Sequence, residues 1–109
     1  MRKKSLKAFK DEVRAKTVRN GGLSPATVIA GLNSMLRGWF GYFQSATPIT
    51  FRNLDGFVRR RLRAILRRQE KRPGFGRCLT DQQRWPNAYF ADRGLLTLQA
   101  AYERARLSR

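Results

Sequence analysis

The chain has 109 residues, with 24 Lys and Arg against 7 Asp and Glu, a formal net charge of +17 and no histidine. One domain is the default at this length, and 41% hydrophobic with 11% aromatic residues supports a modest core and argues against a disordered basic tail. The missing histidines remove the commonest general base and metal ligand, and one cysteine, Cys78, excludes both an internal disulfide and a zinc finger.

The first predicted helix carries Leu6, Phe9 and Val13 at i, i+3 and i+7, with Lys3, Lys7, Lys10 and Arg14 around that short stripe. Asn20-Gly21-Gly22 ends it. Ser24-Pro25 makes a good helix start, since serine can cap and proline is preset for the first turn. Val28, Leu32, Leu36, Trp39 and Phe43 then mark one face of a second helix, widened by Ile29 and Phe40. This spacing assigns Trp39 and Phe43 to the core and turns Tyr42 elsewhere. Gly31, Gly38 and Gly41 inside the same helix cost roughly 1 kcal/mol each relative to alanine. Bare backbone at those points implies a close neighbour, and a packed helix is expected there ahead of RNA.

Ala46-Thr47-Pro48 separates the second helix from a third, for which Thr50 is the expected cap. Its apolar face is Phe51, Leu54, Val58, Leu62, Ile65 and Leu66, and Pro73-Gly74 stops it. The rest is less regular. Thr80-Asp81-Gln82-Gln83 reads as a capping box opening a short turn that Pro86 cuts off. After Gly94, the residues Leu95, Leu98, Ala101, Tyr102 and Ala105 fit a last helix. The predicted fold is all-α: a three-helix bundle over 1–75, with an irregular extension over 76–109 that packs on it and ends in a helix.

The third helix holds the strongest charge signal. Arg59, Arg60, Arg61, Arg63, Arg67, Arg68, Lys71 and Arg72 fall within fourteen residues, opposed only by Glu70. Arg52, Arg59, Arg63 and Arg67 lie at offsets of 0, 7, 11 and 15, one narrow stripe directed away from the apolar face and roughly 20 Å long. Arginine supplies 18 of the 24 basic residues, and its planar fork of donors suits phosphate. The bland alternative, a solvated face balanced by acids, has only Asp55 and Glu70 to draw on. The expected partner is therefore nucleic acid, with phosphates along the stripe. Arg37-Gly38-Trp39 with Tyr42-Phe43 adds Arg37 and Tyr42 as candidates for contact with unpaired bases.

No apolar run approaches the roughly 18 residues of a membrane span. Met1-Arg2-Lys3-Lys4 is not followed by the apolar segment of a secretory signal, so a cytoplasmic location and no membrane partner are expected.

Leu32-Asn33-Ser34-Met35-Leu36-Arg37-Gly38-Trp39, Tyr42-Phe43, Phe51-Arg52-Asn53-Leu54-Asp55 and the arginine run of 58–62 resemble the group II intron maturase-specific domain. That domain follows the reverse transcriptase in intron-encoded proteins. Lys71-Arg72-Pro73-Gly74, and Trp85-Pro86-Asn87-Ala88-Tyr89-Phe90 through Gly94-Leu95, are similar to the C-terminal extension of its bacterial members. The resemblance runs from about residue 6 to 107. Ser34 stands where many members carry proline, and Arg68-Gln69-Glu70 lacks a tryptophan that many place nearby. The resemblance implies a thumb-like unit that binds group II intron RNA and assists splicing by stabilising the folded ribozyme. The candidate RNA-binding residues are Arg37, Tyr42, Arg52, Arg59, Arg60, Arg63, Arg67, Arg68, Lys71 and Arg72.

Reverse transcription needs paired aspartates holding two metal ions. The Tyr-x-Asp-Asp hairpin of that family is absent, and Tyr89-Phe90-Ala91-Asp92-Arg93 has one aspartate with arginine after it. No catalytic residue, metal or cofactor is expected. The chain reads as a fragment of a degraded intron protein or as a module acting with a separately encoded reverse transcriptase. Two readings compete with this: a helical module for duplex DNA, and a generic cationic nucleic-acid-binding protein. Major-groove readers pair arginines with Asn or Gln, and here only Asn53 and Gln69 lie near the stripe. A cationic membrane-surface helix needs a free apolar face, whereas three such faces in one chain pack together.

Overall fold

The computed structural model describes residues 3–18, 24–43, 47–69 and 83–107. Among them are five helices and no strand: α1 (Lys3–Lys16), α2 (Pro25–Tyr42), α3 (Pro48–Gln69), α4 (Asn87–Asp92) and α5 (Leu98–Leu107). The fold is all-α. Asn20-Gly21-Gly22, Ala46, Pro73-Gly74, Cys78 and the first three residues of the expected capping box lie outside the described residues.

Local chemistry accounts for the helix starts. Ser24 sits in extended backbone and its Oγ accepts the Thr27 N–H at 3.3 Å, with Pro25 at the first helical position. α3 begins earlier than Thr50 suggests. Its Pro48 lacks an N–H that the first turn does not use, and the Phe51 N–H reaches the Thr47 carbonyl at 3.3 Å. Thr47 therefore holds the capping position, while Thr50 lies inside the first turn. The break expected at Pro86 is present: Gln83 and Arg84 are helical, the helix stops at Trp85 and Pro86, and α4 then starts at Asn87 directly after the extended Pro86. Gly94, at φ +86°, closes α4 in the left-handed region that glycine enters without strain, and the Leu95 N–H folds back to the Phe90 carbonyl at 3.0 Å.

A single cluster forms the core. Phe9 and Val13 come from α1, Leu32 and Leu36 from α2, and Phe43 directly follows α2. Phe51, Leu54, Val58, Leu62, Ile65 and Leu66 come from α3, while Trp85, Phe90, Leu95 and Leu98 come from the C-terminal segment. Full burial of each aliphatic or phenyl side chain contributes about 1.5–3 kcal/mol, so the C-terminal segment is part of what holds the helices together. Trp39 departs from its expected place. Phe43 is fully buried, but Trp39 is only half-buried, stacked on Phe43 at 5.1 Å between ring centroids and edge-on to Phe9 at 5.7 Å. Its indole N–H donates to the Glu12 carboxylate, and that polar partner holds the ring at the wet margin of the core.

The close helix expected at the α2 glycines is not found among the described residues: a β-carbon at Gly31, Gly38 or Gly41 meets none of their atoms within 4 Å.

Polar side chains fasten the C-terminal segment to the bundle. Asn33 on α2 donates to the Gly94 carbonyl at 2.7 Å and accepts the Leu96 N–H at 2.7 Å. Asp55 on α3, buried, accepts the Leu98 and Gln99 N–H groups at 2.8 and 3.1 Å. A helix leaves its first N–H groups without internal partners, and Asp55 supplies them for α5 from a different helix. Burial pushes the Asp55 carboxyl above its ordinary range, and those two N–H groups and the nearby Arg59 pull it partly back.

Candidate nucleic-acid interface

The structure divides the basic residues of α3 into groups with different surroundings. Arg63 is only 5% exposed. Its Nε donates to the Trp85 carbonyl at 2.9 Å, its Nη2 donates to Asn87 Oδ1 at 2.9 Å, and its guanidinium carbon lies 5.4 Å from the centre of the Phe90 ring. The expected outward row of Arg52, Arg59, Arg63 and Arg67 is therefore interrupted at Arg63. The physical reason is that residues 85–90 cover that flank of α3, and a backbone carbonyl and an amide satisfy the guanidinium there.

Arg59 is half-buried, and its buried Nε has no hydrogen-bond partner among the described residues. Burial lowers its pKa, while the Asp55 charge raises it. Arg61 closes the end of α1. Its Nε donates to Thr17 Oγ1 at 3.0 Å and its Nη2 to the Thr17 carbonyl at 3.1 Å, where a cation also meets the negative end of the helix dipole. Arg67 is half-buried and Arg68 exposed, while Lys71 and Arg72 lie outside the described residues.

Arg52 and Arg60 face the other way. With Lys10 from α1 and with Asn53 and Phe57, they line a cleft of about 350 Å³ between α1 and α3, whose apolar wall is Leu6 and Leu54. The Lys10 ammonium lies 5.6 Å from the centre of the Phe57 ring, and the Arg14 guanidinium carbon lies 5.3 Å from it. Among the described residues no carboxylate lines the cleft. The nearest acid along α1, Asp11, is engaged by Lys7 at 2.8 Å and by Arg14 at 2.9 Å on the exposed side. Its hydrogen bond from Lys7 is the leading cause that holds the carboxyl below its ordinary range. Lys10, Arg52 and Arg60 are thus left to face an incoming anion. Concave walls of low dielectric concentrate their field, and arginine forks donate paired hydrogen bonds to phosphate oxygens.

Sequence reasoning named Arg52 and Arg60 but missed Lys10 and Phe57 as their companions. Lys10 is one of several lysines around the first stripe, and Phe57 stands one position from Val58 on the apolar face. Nothing in either pattern says that α1 crosses α3 at that height. Arg37 is exposed and lines neither this cleft nor the groove between α1 and α2. Tyr42, 63% exposed, lies along that second groove.

Among the described residues no group of three or more His, Cys, Asp or Glu could hold a metal ion, and no helix is long and apolar enough to cross a membrane. A model of the group II intron maturase-specific domain family matches residues 6–85. The match takes in nearly all of α1, all of α2 and α3, and Trp85, and it stops short of α4, whereas the resemblance read from the sequence extends to about 107. No curated protein matches the chain.

Proposed function

The chain belongs to the group II intron maturase-specific domain family, and from that premise we propose that it binds folded intron RNA in the α1–α3 cleft and thereby assists splicing. Its role is maturase-related, and the domain is the non-catalytic part of the proteins that carry it. The observation that carries the reading is the convergence of Lys10, Arg52 and Arg60 beside Phe57 in a cleft that no carboxylate of the described residues lines.

Phosphates of the RNA backbone occupy the cleft mouth, and the exposed Asn53 supplies an amide for a 2′-hydroxyl at the wide, shallow minor groove. A net charge of +17 on a small surface repels itself, and a polyanion relieves that repulsion. Assistance to splicing follows from linkage. A protein that binds the folded intron and not the unfolded one stabilises it by about 2.7 kcal/mol when free protein is ~100 times its Kd. The partners in this reading are the intron RNA, which the domain grips in a thumb-like manner, and a separately encoded reverse transcriptase.

The test is binding of a group II intron RNA against a DNA duplex of equal length at about 0.15 M salt, with intron splicing followed at limiting magnesium. Preferential RNA binding and faster splicing are expected. Equal affinity for both nucleic acids, or splicing that ignores the protein, overturns the reading in favour of a generic cationic module.

A further inference from the structure

The groove between α1 and α2 shares α1 with the cleft and differs from it in chemistry. It encloses about 750 Å³, with Gly31, Ser34 and Gly38 of α2 among its lining residues, Trp39 and Tyr42 towards one end, and Lys4 and Lys16 on α1. Those lysines are twelve residues apart on one helix, roughly 18 Å at 1.5 Å per residue. The one carboxylate that the described residues place in the lining, Glu12, already accepts the Trp39 indole N–H. The groove therefore presents positive charge on its α1 side, small residues along α2 and aromatic rings towards one end.

Tyr42 is exposed without being loose. Its hydroxyl lies 2.9 Å from Ser5 Oγ, and its ring stands nearly perpendicular to Trp39 and to Phe43, at 5.5 and 5.4 Å between centroids. A rigid aromatic ring with 63% of its surface in solvent is a stacking platform. Gly31 and Gly38 weaken α2, and among the described residues nothing lies within 4 Å of a β-carbon at either. A ligand lying along the groove can approach the bare backbone there.

We infer that this groove is a second RNA site, taking an unpaired stretch of strand with one base stacked on Tyr42 and phosphates at Lys4 and Lys16. The inference rests on RNA being the ligand class of this domain. Charge complementarity selects a polyanion, and the exposed ring selects one whose base faces are free, which paired RNA does not offer. An acidic peptide matches the lysines but gains nothing from a planar platform.

The test titrates the full chain with a single-stranded oligoadenylate of about twelve nucleotides, following tryptophan emission. Trp39 lines the groove and Trp85 is buried away from it. Tyr42→Ala removes the platform. Gly38→Leu fills the groove, and because its β-carbon enters open space and leucine favours helix, the melting temperature should stay level or rise. Oligoadenylate should quench wild-type emission and bind both variants about tenfold or more weakly, as loss of one base–aromatic stack implies. Arg52→Gln/Arg60→Gln should lose intron RNA but keep the oligonucleotide. Equal oligonucleotide affinity in wild type, Tyr42→Ala and Gly38→Leu overturns the second site and leaves the cleft standing if the double variant still loses intron RNA. Failure of wild type to bind either RNA overturns both readings. Displacement of the oligonucleotide by an equimolar polyglutamate peptide overturns the RNA assignment in favour of a protein partner.

Discussion

The Arg63 guanidinium donates from Nε to the Trp85 backbone carbonyl at 2.9 Å, and its Nη2 reaches the Asn87 side chain at the same distance. Both acceptors lie at the entrance to α4. A buried arginine so engaged anchors the C-terminal segment to α3. Replacing it by glutamine strands the Trp85 carbonyl, and hydrogen bonds to a charged donor contribute about 1.5–3 kcal/mol. Arg63→Gln should lower the urea midpoint accordingly and leave the salt dependence of RNA binding unchanged. Normal stability with a salt slope reduced by about one would instead place Arg63 at the RNA.

The cleft makes the opposite prediction. Lys10, Arg52 and Arg60 are on its walls and can each neutralise one phosphate. Replacing all three by glutamine should reduce the log–log salt slope of RNA binding by about 2–3, at about 0.7–0.9 per phosphate, with helical content by circular dichroism intact. A slope that does not move would remove the cleft from the interface.

Asp55 gives the fold a pH dependence whose sign is fixed by burial. Its carboxyl titrates above its ordinary value of 3.8 in the folded chain, so the folded state disfavours the charged form relative to the unfolded chain. The stability that Asp55 adds relative to Asp55→Asn should therefore be greatest below 3.8 and decline as pH rises through the raised folded value. Paired urea melts from about pH 3 to about pH 7 measure the difference, which a lowered carboxyl pKa would make grow with pH. Asp55→Ala also leaves the Leu98 and Gln99 N–H groups uncapped, at about 1–2 kcal/mol.

The α2 glycines test the open space beside that helix from the stability side. Added β-carbons at Gly31 and Gly41 enter free space. Gly31→Ala and Gly41→Ala should each raise stability by up to about 1 kcal/mol, read as a higher melting temperature. A fall in either would mean that another part of the chain comes close to that helix face.

The sequence alone determined α1, α2 and α3, because the 3.6-residue repeat places Phe9, Leu32, Leu36, Phe43, Leu54, Val58, Leu62 and Leu66 on helix faces that must be buried. It also determined the family, since Arg37-Gly38-Trp39, Tyr42-Phe43 and Phe51 to Asp55 are read in order along the chain and lie inside the matched span. Ser24 and Pro25 marked a helix start for the same reason: a cap acts on neighbours within one turn.

Only the tertiary structure decided what each charged side chain is for. A helical wheel puts Arg52, Arg59, Arg63 and Arg67 on one stripe, but what crosses that stripe comes from residues 22 to 24 positions away for Arg63, and Arg61 meets a threonine 44 positions away. Local spacing carries no record of such crossings. The same holds for Trp39, placed at the core margin by Glu12 on another helix, and for Lys10 and Phe57, which become a binding surface with Arg52 and Arg60 only where α1 lies across α3. Helix geometry is set by contacts three and four residues apart, whereas burial and partnership of a long polar side chain are set by whichever distant segment covers it.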